Sequence, residues 1–218
     1  MIHQKAHKFG HLQLNRNLAA KFQQISVLLS LIFVLYYQNV DGATKDVSWV
    51  NKIAKPADLI FRRSNEFWGD IAAKMSRTDA RFSHVGIVIV EDGLVKVIHA
   101  DGNPLQGSPR LVKQLITEWL DGVKDFGLFR LNITDQTRDR VIKEANRLFD
   151  EGVPFDTKFN LSTDDQLYCT EFVVKVIYRA QLNSKETPVV FATERFIDGR
   201  QYIPLDAIFL NERVREIR

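Results

Sequence analysis

The chain has 218 residues, 45% of them apolar, which suits one domain whose core needs neither a disulfide nor a metal to hold it. Charged residues at 26% and aromatic residues at 11% exclude a disordered tail, a collagen-like fibre and a low-complexity polymer. The formal net charge of +3 comes from the first 42 residues, where Lys5, Lys8, Arg16 and Lys21 face Asp41 alone, so the remainder is close to neutral and nucleic acid is not an expected partner.

Residues 1–24 are polar and basic and lead into Ile25-Ser26-Val27-Leu28-Leu29-Ser30-Leu31-Ile32-Phe33-Val34-Leu35-Tyr36-Tyr37, a run of 13 residues without a charge. A membrane-spanning helix wants roughly 20 apolar residues. The shorter run reads as the core of a signal peptide, with cleavage expected after Gly42 or Ala43. An uncleaved anchor through residues 25–37 is the alternative, because the basic stretch is long and Asp41 sits beside the cut. Either way the body is expected to be exported, periplasmic or secreted. No second apolar run of that kind follows.

From about residue 43 there is no repeat and no Pro/Gly/Ser-rich linker, so residues 43–218 are expected to form one domain. Asp58-Leu59-Ile60-Phe61-Arg62 reads as a short strand, followed by a helical pattern at Phe67, Trp68, Ile71, Ala72 and Met75. Ser83–Val90 and Leu94–His99 flank Glu91-Asp92-Gly93, and Asp-Gly between β-branched runs predicts a hairpin. Phe126–Leu131 is a further strand candidate. Thr134–Glu151 carries an apolar helical stripe at Val141, Ile142, Ala145, Leu148 and Phe149, stopped by Gly152 and Pro154. A third helix is expected from near Ser162, capped within Ser162-Thr163-Asp164-Asp165, with Cys169, Phe172, Val173, Val176, Ile177 and Ala180 on its inner face. Tyr202–Leu210 is expected to supply the last strand region. Strands and helices mix without β-α-β alternation, which predicts an α+β fold: an antiparallel sheet with helices packed on it. Trp49, Trp68 and Trp119 read as core.

Cys169 is the only cysteine, which excludes an internal disulfide. Of five histidines, His3, His7 and His11 lie in the leader, leaving His84 and His99 in the body. A two-residue Asp92-Gly93 loop puts Glu91 opposite Leu94 and His99 opposite Gly86. The two imidazoles then become diagonal neighbours on one face, with Cβ atoms about 7 Å apart or less. A loop one residue longer would put them on opposite faces. A cysteine on the first turns of a helix has its thiolate favoured by the positive helix end, and a nearby imidazolium would lower its pKa further. That arrangement permits Cys169 as nucleophile, His84 as base and His99 as the group that orients the base, with the Cys169 N–H helping to hold an oxyanion. Whether the Cys169 helix packs onto the His84 strand is beyond hairpin geometry. An inert core thiol is the bland alternative.

Asp58-Leu59-Ile60-Phe61, Ser83-His84-Val85-Gly86-Ile87, Val97-Ile98-His99-Ala100, Val153-Pro154-Phe155-Asp156 and Leu167-Tyr168-Cys169-Thr170-Glu171-Phe172-Val173 together resemble the YaeF/YiiX group of permuted papain-like amidases. These are circularly permuted relatives of the NlpC cell-wall peptidases. They share the order of His strand first and Cys helix last with lecithin retinol acyltransferase-like proteins. The resemblance covers roughly residues 55–210. It implies a permuted papain-like (NlpC-type) fold with the Cys helix against the sheet, and Cys169, His84 and His99 as nucleophile, base and third polar member. Ala57 departs from it, standing where the family often has Gly. Asp58 and Asp156 match family positions but read as structural.

The resemblance implies a cysteine hydrolase, an amidase or thiol peptidase, that cleaves an amide in a small peptide or peptidoglycan-derived substrate through an acyl-enzyme, with no cofactor and no metal. An acyltransferase, thioesterase or lipid esterase would use the same triad. A zinc site on His84, His99 and Cys169 and a non-catalytic binding module are the remaining alternatives.

Overall fold

The structure, a computed structural model, describes residues 46–217 except for residues 66, 103–107 and 183. The basic leader, its apolar run at 25–37 and the expected cleavage site lie outside the described residues. In chain order the elements are α1 (Ser48–Ile53), β1 (Leu59–Arg63), α2 (Phe67–Ala73), β2 (His84–Glu91), β3 (Leu94–Asp101), β4 (Arg110–Leu115) and α3 (Ile116–Trp119). There follow β5 (Asp125–Leu131), α4 (Asp135–Asp150), α5 (Cys169–Gln181), β6 (Glu194–Arg195), β7 (Gln201–Tyr202), α6 (Asp206–Phe209) and β8 (Val214–Glu216). Six strands form one sheet in the order β4-β3-β2-β1-β5-β8, every neighbouring pair antiparallel. Among the described residues no helix is long and apolar enough to cross a membrane.

The β2–β3 turn closes over two residues. Asp92 and Gly93 have φ of 53° and 76°, the left-handed pair that a type I′ turn requires, and Glu91 stands opposite Leu94. α4 begins where Thr134 in extended backbone accepts the Thr137 N–H at 3.3 Å and stops before Gly152 at φ 67°.

Period-2 alternation sorts the strands onto two faces. On one, Leu59, Phe61, Val85, Ile87, Ile89, Ile98, Ala100, Phe129 and Leu131 meet the inner stripes of α4 and α5 and the apolar turn of α6. The other holds the smaller cluster of Ile60, Val88, Val95, Val97 and Leu128 beneath α1 and α3. Helices therefore cover both faces, and burial of the first cluster is the larger part of the hydrophobic driving force.

Three expectations are corrected. α5 starts at Cys169, not near Ser162. The Asp156 carboxylate accepts the Lys158 and Asn160 N–H groups, and the Pro154 carbonyl accepts from Leu167 at 3.0 Å, so 156–168 is held as a loop. Tyr202–Leu210 is not one strand. Tyr202 closes a small hairpin with Glu194, whereas Ala207-Ile208-Phe209 buries its apolar side chains as a helical turn. Asp206 ahead of that turn accepts the Arg77 and Thr78 N–H groups at 2.9 and 2.7 Å, and the last strand of the main sheet is β8. Finally, β4 was not expected at all.

Asp58 is fully buried and receives Arg130 through two bonds of 2.8 and 2.7 Å and the Lys55 N–H at 2.8 Å. It joins three segments and stays away from the two histidines, in keeping with a structural role. Ala57 adopts φ 63°, a left-handed conformation that costs an L side chain about 1 kcal/mol and that Gly adopts freely.

Candidate active site

His84 opens β2 and His99 lies near the end of β3, on the Gly86–Val97 face. Their rings meet edge to face with centroids 5.0 Å apart, and His84 Nε2 lies 2.9 Å from His99 Nδ1. The diagonal contact expected from the two-residue turn is present. Gly86 permits it: a Cβ there would lie 2.9 Å from the Ile98 carbonyl oxygen and 3.1 Å from His99 Cβ. The other side of His99 reaches Gln114 on β4, with Nε2 to Oε1 at 2.9 Å. Trp119 of α3 covers both rings, its centroid 5.9 Å from His84 and 5.7 Å from His99. Arg62 stacks on that indole at 4.8 Å and donates to the Trp119 carbonyl at 2.7 Å.

The two histidine strands part at this point. The β2–β3 ladder runs from Glu91–Leu94 only as far as Ile87–Ile98, while β1–β2 pairing continues to Arg62–His84 and β3–β4 pairing to Asp101–Arg110. Beyond the last β2–β3 pair, the Val85 N–H lies close enough to the Cys169 thiol to pull its pKa down. Cys169 is the first residue of α5, and that helix packs on β2 and β3 through Phe172, Val173 and Val176. The thiol thus reaches the backbone beside His84 from the apolar side of the sheet, while the imidazoles lie on the other face.

The first turn of α5 is tied down on several sides. Tyr168, the cap residue, donates its N–H to Glu171 at 3.3 Å, and its hydroxyl accepts the Ile203 N–H at 3.0 Å. Thr170 donates to the Ile203 carbonyl at 2.7 Å. Glu171 is buried against Lys175 at 2.8 Å, and burial raises its carboxyl to about 7 despite that cation.

Electrostatics correct one expectation. Burial pushes the Cys169 thiol up to about 11, outweighing the Thr170, Val85 and Cys169 N–H groups and the Arg62 charge, which all pull it down. Burial, then His99, then Arg62 hold His84 well below the ordinary imidazole range. His99 is lowered to about 4, chiefly by burial and further by Arg62, against opposing effects of Gln114 and Asp101. These shifts favour a neutral thiol and two neutral imidazoles at rest, because partial burial of Cys169 and His84 and near-complete burial of His99 penalise a thiolate–imidazolium pair. A neutral imidazole can accept the thiol proton as the sulfur attacks, which is general-base rather than preformed ion-pair chemistry.

The sequence profile of the permuted papain-like amidase enzymes, YaeF/YiiX, C92 family, matches residues 54–200. The chain belongs to this family. The C92 match contains β1, β2, β3 and α5, and hence Cys169, His84 and His99. Among solved structures the chain is similar to one described as metalloprotein yiiX from Escherichia coli O157:H7, with a TM-score of 0.57 and 16% identity over 75% of this chain and 96% of that one. That likeness is one of fold, and it agrees with the permuted papain-like arrangement of helices on an antiparallel sheet. No curated protein sequence matches the chain. A zinc site on His84, His99 and Cys169 would need all three side chains free to meet the ion. Among the described residues no three His, Cys, Asp or Glu side chains are grouped to hold one, and both nitrogens of His99 and one of His84 are already in hydrogen bonds.

Gln114, Trp119 and Arg62 were not among the site residues expected. Trp119 read only as core, and Gln114 lies on the strand whose pattern, Arg110-Leu111-Val112-Lys113-Gln114-Leu115, mixes charged and apolar side chains on both faces.

Proposed function

We propose that the chain is a cysteine hydrolase that cleaves an amide bond with Cys169 as nucleophile, His84 as general base and His99 as the group that orients it. The observation carrying this reading is the 2.9 Å His84–His99 bond at the point where the strands part and the Val85 N–H turns to the chain's only thiol. With Nε2 committed to His99, Nδ1 is the nitrogen of His84 left to act as base, and in this reading the thiol meets it past the end of the β2–β3 ladder, where the sheet no longer separates the two faces. Sγ attacks the carbonyl carbon as its proton passes to Nδ1, and the amide N–H groups beside the sulfur stabilise the oxyanion that develops. His84 then returns the proton to the departing amine, leaving a thioester. Water, deprotonated by the same imidazole, cleaves the thioester and frees the thiol.

The substrate we propose is a small peptide or cell-wall fragment met outside the cytoplasm, periplasmic or secreted. The basic leader and its 13-residue apolar run support export, with a membrane tether as the variant of that reading if the run stays attached. Cys169→Ala is expected to lose both turnover and labelling by iodoacetamide, and full turnover in that variant would refute the assignment. Cleavage that depends on acyl-chain length in ester substrates would move the reading to lipid ester or thioester chemistry.

A further inference from the structure

His84, His99 and Gln114 stand on three consecutive strands, β2, β3 and β4, each diagonal to the next. His99 faces Val112 across the β3–β4 ladder and Gln114 faces Val97, so the His99–Gln114 step repeats the offset of the His84–His99 step. Both links measure 2.9 Å, and they join as a single line of side chains.

We infer that Gln114 is a positioning residue that sets the tautomers of both histidines and so makes His84 a base toward Cys169. In the orientation the amide takes here Oε1 faces His99 and can only accept, so in this arrangement His99 carries its proton on Nε2 and presents a bare Nδ1. His84 Nε2 must then donate into that lone pair, which leaves His84 Nδ1 without a proton and free to take one. The reverse orientation of the amide would reverse every donor. His99 would then donate from Nδ1, and His84 would hold its proton on Nδ1, with no ring nitrogen left to accept the thiol proton. One carboxamide two residues along the relay therefore decides between a working base and a blocked one. The Trp119 cover keeps water from replacing the amide as the acceptor.

The catalytic part of this inference rests on the proposed function, but the tautomers themselves can be read without any substrate. In ¹⁵N-histidine-labelled protein, two-bond correlation spectra are expected to show Nε2–H forms for both His84 and His99. Gln114→Met, similar in length and without an acceptor, is expected to mix the His99 tautomers and to lower kcat by at least about 10-fold with KM nearly unchanged. Gln114→Glu keeps the acceptor. It is expected to restore the Nε2–H forms and most of kcat, with the acidic limb of the pH–kcat profile moved upward because a carboxylate favours protonated His99. An Nδ1–H form of His84 in the unaltered protein overturns the inference, as does a Gln114→Met protein with unchanged tautomers and unchanged kcat. Should Cys169→Ala retain turnover, the hydrolase reading falls, yet the spectra still decide the role of Gln114.

Discussion

On one face of the sheet Phe61, Val85, Ile87 and Ile98 meet Phe172, Val173 and Val176 of α5, apolar group against apolar group. On the other, Arg62, His84, His99 and Gln114 share a layer with Trp119, and each polar group depends on a particular neighbour. The first face earns its stability from area and fit, which many side chains supply together. The second gains little stability, because burying imidazoles costs solvation that a few hydrogen bonds only offset. Its contribution is the protonation state it imposes. The two faces should therefore fail differently when altered.

Phe172→Ala should have the largest effect on stability, about 3–5 kcal/mol by chemical denaturation, with kcat of the folded fraction retained. A loss under about 1 kcal/mol would mean that α5 is held by its polar ties rather than by its apolar stripe. His84→Ala should show the opposite pattern. A drop in kcat/KM of about 10²- to 10⁴-fold is expected, with stability within about 1 kcal/mol of the parent. If stability falls as far as activity, the contrast between the faces is wrong.

The pH dependence sharpens the contrast. An unfolded chain titrates His99 near 6.5, whereas folding lowers it to about 4, so between these values the unfolded state binds more protons and stability declines as pH falls. Glu171 works the other way. Folding raises it from 4.5 to about 7, so the folded state binds the extra proton and this contribution declines as pH rises through the same window. Thermal melts of Glu171→Gln should thus show a steeper loss on acidification below pH 6.5 than the parent, because the opposing contribution is gone. Parallel curves would show that Glu171 titrates normally. The thiol gives a third pH reading: iodoacetamide labelling should keep rising toward about pH 11, and a plateau near neutrality would reveal a thiolate–imidazolium pair.

Ala57→Gly should change least. Relief of the left-handed backbone is worth about 1 kcal/mol, and loss of a fully buried methyl costs about 0.8 kcal/mol, so denaturation midpoints should nearly coincide.

Much of this site can be read from the residues because the Asp92-Gly93 turn is local chemistry. A two-residue loop sets every pairing up the hairpin, and His84 and His99 follow from counting. α4 was legible for a similar reason, since its cap, stripe and stopping glycine lie within one segment. The start of α5 was misplaced because Ser162–Asp165 has the composition of a cap, while what decides that stretch is Asp156 and Pro154, whose bonds to it no short window reveals. β4 escaped because Lys113 finds Glu91 and Asn146 at 2.7 Å, partners that make a charge acceptable on a half-buried face.

The amino-acid order by itself determined the alternation and, given a two-residue Asp92-Gly93 turn, which two imidazoles become neighbours, since these depend on residues a few bonds away. Tertiary structure alone decided that Gln114 completes the row, that β2 and β3 separate where the Val85 N–H meets the thiol, and that the thiol is raised rather than depressed. Solvation and long-range hydrogen bonding sum over atoms from many segments. A helix start can suggest a thiolate, but only the assembled fold sets how much water surrounds the sulfur.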